Sequence, residues 1–264
     1  MFAALVSVLN GCKGQKGLAN CYKNVYYYKY ICYFELQGDC LYKACIFDLD
    51  GTLANTLASI ANFANTAMER CGYRPIEVEK YKYLVGNGTD RLMHAMLDTA
   101  PGAQGYTEDD VRTMRRIYDE LYESDPTCLV TNYSGVQDTL KKLKAKGIRM
   151  AVLSNKPHNC TTAIIDSLFP QETFDLCYGQ RPEVARKPSP EGALLIADGL
   201  AVSPEDILYI GDTNTDMKTG TAAGMDTAGV LWGFRTEKEL RENNAKYIVE
   251  RPEQIYEIVA GCMR

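Results

Sequence analysis

Histidine, tryptophan and net positive charge are scarce in this chain of 264 residues. The only histidines are His94 and His158, and there is no C-x-x-C pair, so the ligand sets of a zinc site are missing. The formal net charge is −5 and the pI is near 5.3, which argues against a nucleic-acid partner, since that would want a basic face. No apolar run approaches the roughly 20 residues that span a bilayer, so no membrane partner is expected. Internal repeats and low-complexity tracts are absent as well. What is present is ordinary for a globular protein: 46% hydrophobic and 24% charged residues, on a chain long enough for one large domain or two modest ones. The ten cysteines are spaced too irregularly, on too long a chain, to read as a disulfide framework. Cys45 and Cys177 lie in apolar, strand-like segments, where free cysteine behaves as a small hydrophobe. Reduced thiols in a cytoplasmic setting account for the set.

The first 42 residues differ in kind. They hold four cysteines (12, 21, 32 and 40), the run Tyr26-Tyr27-Tyr28, and four lysines against two acids. This stretch is about +2 and the remainder about −7. Leu9-Asn10-Gly11-Cys12 faintly resembles a lipoprotein cleavage box, but no positive charge precedes it and the apolar run from Phe2 to Leu9 is short. Residues 1–42 read as a poorly ordered N-terminal extension.

From residue 44 short apolar runs alternate with amphipathic stretches. Strand candidates are Ala44–Leu49, Ile148–Leu153, Phe174–Tyr178, Ile207–Ile210, Thr227–Leu231 and Lys246–Val249. Helical patterns of ten or more residues separate most of them, which predicts a doubly wound, Rossmann-like parallel α/β sheet. Lys141 to Gly147 reads as a helix stop, and Ser203-Pro204-Glu205-Asp206 as a short turn with Ser203 as N-cap. Residues 56–132 break the alternation, with helical patterns and no convincing strand. Leu57, Ile60, Ala61, Ala64, Met68 and Cys71 recur at helical spacing, as do Val111, Met114, Tyr118 and Leu121. This interval reads as a helical cap inserted into a core made of residues 43–55 and 133–264. Ligands of such sheets bind beyond the carboxyl ends of the strands, so an insertion leaving that edge is placed to act as a lid.

Four short signals fall at the ends of expected strands. In Asp48-Leu49-Asp50-Gly51-Thr52 two carboxylates follow a buried run, an odd construction for stability alone. Desolvated acids raise one another's pKa and need a cation or hydrogen-bond donors to stay charged. Residues two apart in an extended chain point to the same side, so Asp48 and Asp50 can serve one site. Ser154 and Asn155 close the second run, at a strand-to-helix turn suited to holding phosphate oxygens. Lys187, before Pro188, could neutralise a phosphoryl group. Asp212 and Asp216, four apart in Gly211-Asp212-Thr213-Asn214-Thr215-Asp216, can share a cation. Taken singly, Ser154-Asn155 is an ordinary turn, Lys187 a surface lysine, and Asp212 or Asp216 a helix-capping acid.

The order D-x-D-G-T, S-N, K-P, G-D-x-x-x-D resembles the haloacid dehalogenase-like hydrolase superfamily over about residues 43–260. Leu84 to Leu92, with Gly86-Asn87-Gly88, and Val230 to Arg235 are similar to its phosphoglycolate phosphatase-like branch. The resemblance implies a Mg²⁺-dependent phosphatase acting on a small phosphomonoester through an aspartyl-phosphate. Its catalytic residues would be Asp48 as nucleophile, Asp50 as general acid/base, and Lys187. Gly51, Thr52, Ser154 and the backbone of Asn155 would hold the phosphate. Asp48, the carbonyl of Asp50, Asp212 and Asp216 would form the metal site. The implied partner is a small phosphorylated metabolite, and the implied state a monomer or homodimer. Asp50 favours phosphoryl over carbon–halogen chemistry, because dehalogenating members generally lack that second acid. An inorganic pyrophosphatase or a β-phosphoglucomutase-like enzyme of the same superfamily is the alternative, although Thr89 stands where mutases carry arginine. Asn55 replaces a common aspartate and still suits a helix cap. Tyr83, Arg91 and Arg235 are candidate substrate contacts that read better as packing or surface residues, and neither histidine is needed for the chemistry.

Overall fold

The computed structural model describes residues 40–86, 88–103 and 105–261, and the described residues from Leu41 onward fold as one unit. The reading of residues 1–39, cleavage box included, and of Asn87 lies outside the described residues. Leu41 and Tyr42, placed above in the extension, pack with the folded unit: the Leu41 N–H donates to Val259 O (2.8 Å), and the buried Tyr42 donates its hydroxyl to Asp226 Oδ2 (2.6 Å).

Six parallel strands form the main sheet: β1 (Ala44–Phe47), β4 (Arg149–Pro157), β5 (Leu176–Gln180), β6 (Ile207–Gly211), β7 (Asp226–Val230) and β8 (Tyr247–Val249). Their order across the sheet is β5-β4-β1-β6-β7-β8. β1 is buried throughout, as its unbroken apolar run requires of a central parallel strand. The chain runs outward from β1 through β4 to β5, then returns to β6 on the other side of β1. That reversal opens the crevice between strand ends where doubly wound sheets bind ligands. Helices α5 (Val136–Ala145), α6 (His158–Leu168), α7 (Glu191–Leu200), α8 (Asn214–Ala222), α9 (Glu237–Glu242) and α10 (Glu253–Val259) make the crossovers and the C-terminal end. Ala44, Ile46, Ala151, Leu153, Ile196, Leu200 and Tyr209 share one apolar cluster between α7 and the sheet. α5 stops as expected, with Gly147 at φ +77° and the Ile148 N–H returning to Leu143 O (3.1 Å). Pro204 opens a single 3₁₀ turn, although the Ser203 hydroxyl makes no capping bond.

Between β1 and α5 lies a helical block: α1 (Leu57–Arg70), a 3₁₀ turn (Val78–Lys80), α2 (Tyr81–Leu84), α3 (Thr89–Thr99) and α4 (Glu108–Ser124). Its periodic residues Leu57, Ile60, Ala64, Met68, Val111, Met114 and Tyr118 meet in one apolar cluster with Met93, Met96 and Tyr122. That cluster also takes in Cys160 of α6 and Phe234, tying the block to the sheet. A capping box of Thr107 and Asp110 starts α4.

The structure corrects two local readings. β3 (Thr131–Asn132) lies inside the interval read as free of strands and pairs antiparallel with β2 (Ala54–Asn55) just before it, a two-residue ribbon that ties the two ends of the helical block together. It is too short for alternation to show. β4 runs on through Ser154, Asn155 and Lys156 to Pro157, with a register shift after Leu153, so these polar residues extend a strand and do not form a turn. Cys40, Cys71, Cys128, Cys160 and Cys177 are free thiols, and no helix among the described residues is long and apolar enough to cross a membrane.

Candidate active site

β4, β1 and β6 are neighbours in register, with Phe47 opposite both Val152 and Ile210. Asp48 and Asp212 follow β1 and β6, and Ser154 opens the irregular polar stretch of β4 after Leu153, so all three reach the same edge. The Asp48 N–H donates to Ile210 O (2.9 Å), extending the ladder one residue into the site. The chain then turns sharply: Leu49 O accepts from the N–H groups of Thr52, Leu53 and Ala54. Gly51 sits at φ +86° in this turn, and a Cβ there would come within 2.2 Å of Asp212 Oδ2. Both backbone shape and space therefore require glycine.

Lys187 ties the acids together. Its Nζ donates to Asp48 Oδ1 (2.7 Å), Asp216 Oδ1 (2.8 Å) and Leu153 O (3.1 Å), which uses all three ammonium protons. Burial acts against its charge, yet Asp216 and Asp48 outweigh it and hold the ammonium well above its ordinary pKa. The Asn155 amide clamps the lysine backbone in turn, donating to Lys187 O (3.1 Å) and accepting from Lys187 N (2.9 Å). That role of the Asn155 side chain was not legible in the sequence. Asp216 Oδ2 accepts from the N–H and hydroxyl of Thr213, the N-cap of α8, so Asp216 closes a capping box while it holds Lys187.

Asp48, Asp212 and Asp216 are buried and each offers an oxygen within 4.8 Å of the others. Burial, then the Asp216 charge, pushes the Asp48 carboxyl up to about 7 against the pull of Lys187. Burial, then the charges of Asp216 and Asp48, hold Asp212 well above its ordinary value. One lysine thus leaves a surplus of buried negative charge, and the donors are all oxygens. A hard divalent cation fits such a set. Asp212 also accepts from Phe234 N (2.7 Å) and from the Thr52 hydroxyl (3.4 Å), and Trp232 Nε1 donates to Thr52 O (3.0 Å).

Asp50 stands apart from that triad. It is half-buried, its Oδ1 is buried without a hydrogen-bond partner, and its Oδ2 lies 3.2 Å from Lys156 Nζ. Lys156 donates to Tyr122 Oη (3.1 Å) and lies over the Tyr122 ring at 4.3 Å. Neither Lys156 nor Tyr122 was singled out from the sequence: they are 34 residues apart, and no local pattern joins them. A cavity of about 80 Å³ opens over this group. Asp48, Asp50, Ser154, Asn155 and Lys187 line it from the sheet, and Gly86, Gly88, Thr89, Tyr118 and Tyr122 from the helical block. Gly51, Thr52, Asp212 and Asp216 lie behind that surface and support it.

Of the residues read as packing or surface, Tyr83 and Arg91 are exposed and do not line the cavity. Arg235 donates to the carbonyls of Lys82 and Val85, fastening the loop that leads to Gly86. His94 contacts Tyr106, and His158 Nδ1 accepts from Gly179 N (3.3 Å); neither lines the cavity.

The family model of the haloacid dehalogenase-like hydrolases matches residues 45–230, which include every acid and lysine of the site. The chain belongs to that family and, within it, to the phosphoglycolate phosphatase-like branch of phosphatases. It is similar to the phosphoglycolate phosphatase of Aquifex aeolicus, at 31% identity over 82% of this chain and 96% of the relative. It is also similar to phosphoglycolate phosphatase 1 of Pseudomonas aeruginosa, at 28% identity over 78% of this chain and 75% of the relative. Among solved structures, a predicted phosphoglycolate phosphatase from Haemophilus somnus superposes with a TM-score of 0.77, at 26% identity over 84% of this chain and 99% of the other.

Proposed function

We propose that the protein is a Mg²⁺-dependent phosphatase that hydrolyses a small, phosphoglycolate-like phosphomonoester through an aspartyl-phosphate on Asp48. The observation that carries the reading is the pairing of Asp48 Oδ1 with a fully committed Lys187 beside Asp50, whose buried Oδ1 has no partner. One buried carboxylate is positioned and one waits for a proton donor or acceptor. That asymmetry suits a nucleophile and a general acid/base.

In this reading an Asp48 oxygen attacks phosphorus while the ester P–O bond breaks, and Asp50 gives its proton to the departing alcohol. Asp50 then takes a proton from water, whose oxygen attacks the phosphorus and frees Asp48 and phosphate. Lys187 keeps Asp48 oriented and offsets the phosphoryl charge; Ser154 and the backbone N–H of Asn155 hold the phosphate oxygens, whereas Gly51, whose N–H is spent on Ala54 O (2.9 Å), and Thr52, whose hydroxyl donates to Asp212, shape the turn behind them. Asp48, Asp212 and the carbonyl of Asp50 would hold magnesium, with Asp216 behind them, and the bound ion would neutralise charge on the phosphoryl oxygens.

Residues 56–132 act as the cap over a core of residues 43–55 and 133–264. The arrangement of cavity-lining residues supports this division, because both parts contribute walls. The 80 Å³ of space favours a short leaving group. Relatives named for phosphoglycolate point the same way. The reading places the protein in the cytoplasm, acting as a monomer or homodimer on a phosphorylated metabolite. The test is Asp48→Asn. Magnesium-dependent phosphate release should fall at least about 10³-fold while circular dichroism stays unchanged, and substantial residual turnover would sink the assignment.

A further inference from the structure

We propose that Lys156 is the specificity-determining cation of this site and binds a carboxylate carried by the leaving alcohol next to the ester oxygen. The inference rests on the phosphatase reading above and narrows its substrate to short phosphomonoesters of hydroxy acids.

Among the described residues two cations line the cavity, Lys156 and Lys187. They differ in what they have left to give. Lys187 spends its three protons on Asp48, Asp216 and Leu153 O, so it has none for a second anionic group. Lys156 has one hydrogen bond, to Tyr122 Oη, and one ion pair, to Asp50, so at least one N–H remains. Its side chain is only 6% exposed, and a buried ammonium proton without an acceptor is costly. The remaining charged residues lining the cavity are acids, Asp119 and Glu123 among them, which would repel an anion placed elsewhere along the wall.

Position agrees with charge. Lys156 Nζ lies 3.2 Å from Asp50 Oδ2. An acid touches the oxygen it protonates at about 3 Å, so an ester oxygen approached on the Oδ2 side of the Asp50 carboxyl sits within about 6 Å of Lys156. A carboxylate one carbon beyond the ester methylene closes that gap with a single hydrogen bond of about 3 Å. Tyr122 fixes the ammonium from the other side, through its hydroxyl and its ring, and Ser59 Oγ bonds the same hydroxyl at 3.4 Å. The cation that reads the leaving group is thus supplied by β4 and aimed by α4.

The experiment compares kcat/KM for 2-phosphoglycolate with that for 2-hydroxyethyl phosphate, in which CH₂OH replaces the carboxylate. Wild type, Lys156→Gln and Lys156→Arg are each measured. A hydrogen bond to a charged group predicts a wild-type preference of about 10- to 100-fold for the carboxylate. The ratio should collapse toward one in the Gln variant and survive in part in the Arg variant. Because each ratio is taken within one protein, a loss of folded fraction or of Asp50 function cancels. A wild-type ratio near one, or a preference that persists in the Gln variant, overturns the proposal. A wild-type protein that releases phosphate from neither ester would instead overturn the phosphatase reading beneath it.

Discussion

The carboxyl edge of the sheet and the helical block above it bury opposite kinds of side chain. At the edge, Asp48, Ser154, Lys187, Asp212 and Asp216 are all buried, and each is held by a specific hydrogen bond or ion pair. In the block, most of the buried side chains are apolar, Met93, Met96, Leu97 and Met114 among them, and packing in one cluster holds these in place. Methionine adapts to irregular gaps, whereas a buried charge tolerates almost no displacement. The contrast separates two tasks. The edge keeps a reactive geometry at a cost in stability, and the block supplies stability with packing that can be reshaped around different leaving groups.

The comparison can be tested from its strong end. Met114→Ala should destabilise the protein by about 2–5 kcal/mol in denaturant unfolding, with magnesium-dependent turnover retained well below the melting temperature. Loss of turnover in a still-folded variant would show that the block does more than pack. Asp212→Asn should do the reverse. Removing one member of an over-negative buried cluster should raise metal-free stability by about 1 kcal/mol and abolish activity. A destabilised, active variant would break the contrast.

The smallest effect lies where β4 passes into α6. Burial, and then the charge of Arg181, lower the pKa of His158, and its neutral ring accepts from Gly179 N. The folded state therefore binds a proton less readily than the unfolded chain. Stability should fall as pH drops through the unfolded value of 6.5 and level off below the folded one. Partial exposure screens the term to a few tenths of a kcal/mol. His158→Gln should flatten that dip in the difference between unfolding midpoints at pH 7.5 and 5.5.

Much of this was readable one segment at a time. All six strand candidates appear within a few residues of the expected bounds, because a buried parallel strand needs a continuous apolar run. Asp48, Ser154, Lys187 and Asp212 were legible because each stands at the end of such a run or beside a turn residue. β3 was not, since two residues carry no periodicity. The polar extension of β4 was hidden because only pairing with Gln180 keeps it extended. Asn155 looked like a backbone donor, and its amide proved to clamp a lysine 32 residues away.

By itself the sequence determined the sheet, the order of the motifs and the family, all of which follow from local composition and short-range spacing. Tertiary structure alone decided which charges are spent and which remain available. Lys156 closes an apolar run and Lys187 stands beside a proline, and neither local setting says which ammonium keeps a proton to give. Folding commits every proton of Lys187 and leaves one on Lys156, because Asp216, Tyr122 and Asp50 arrive from distant parts of the chain.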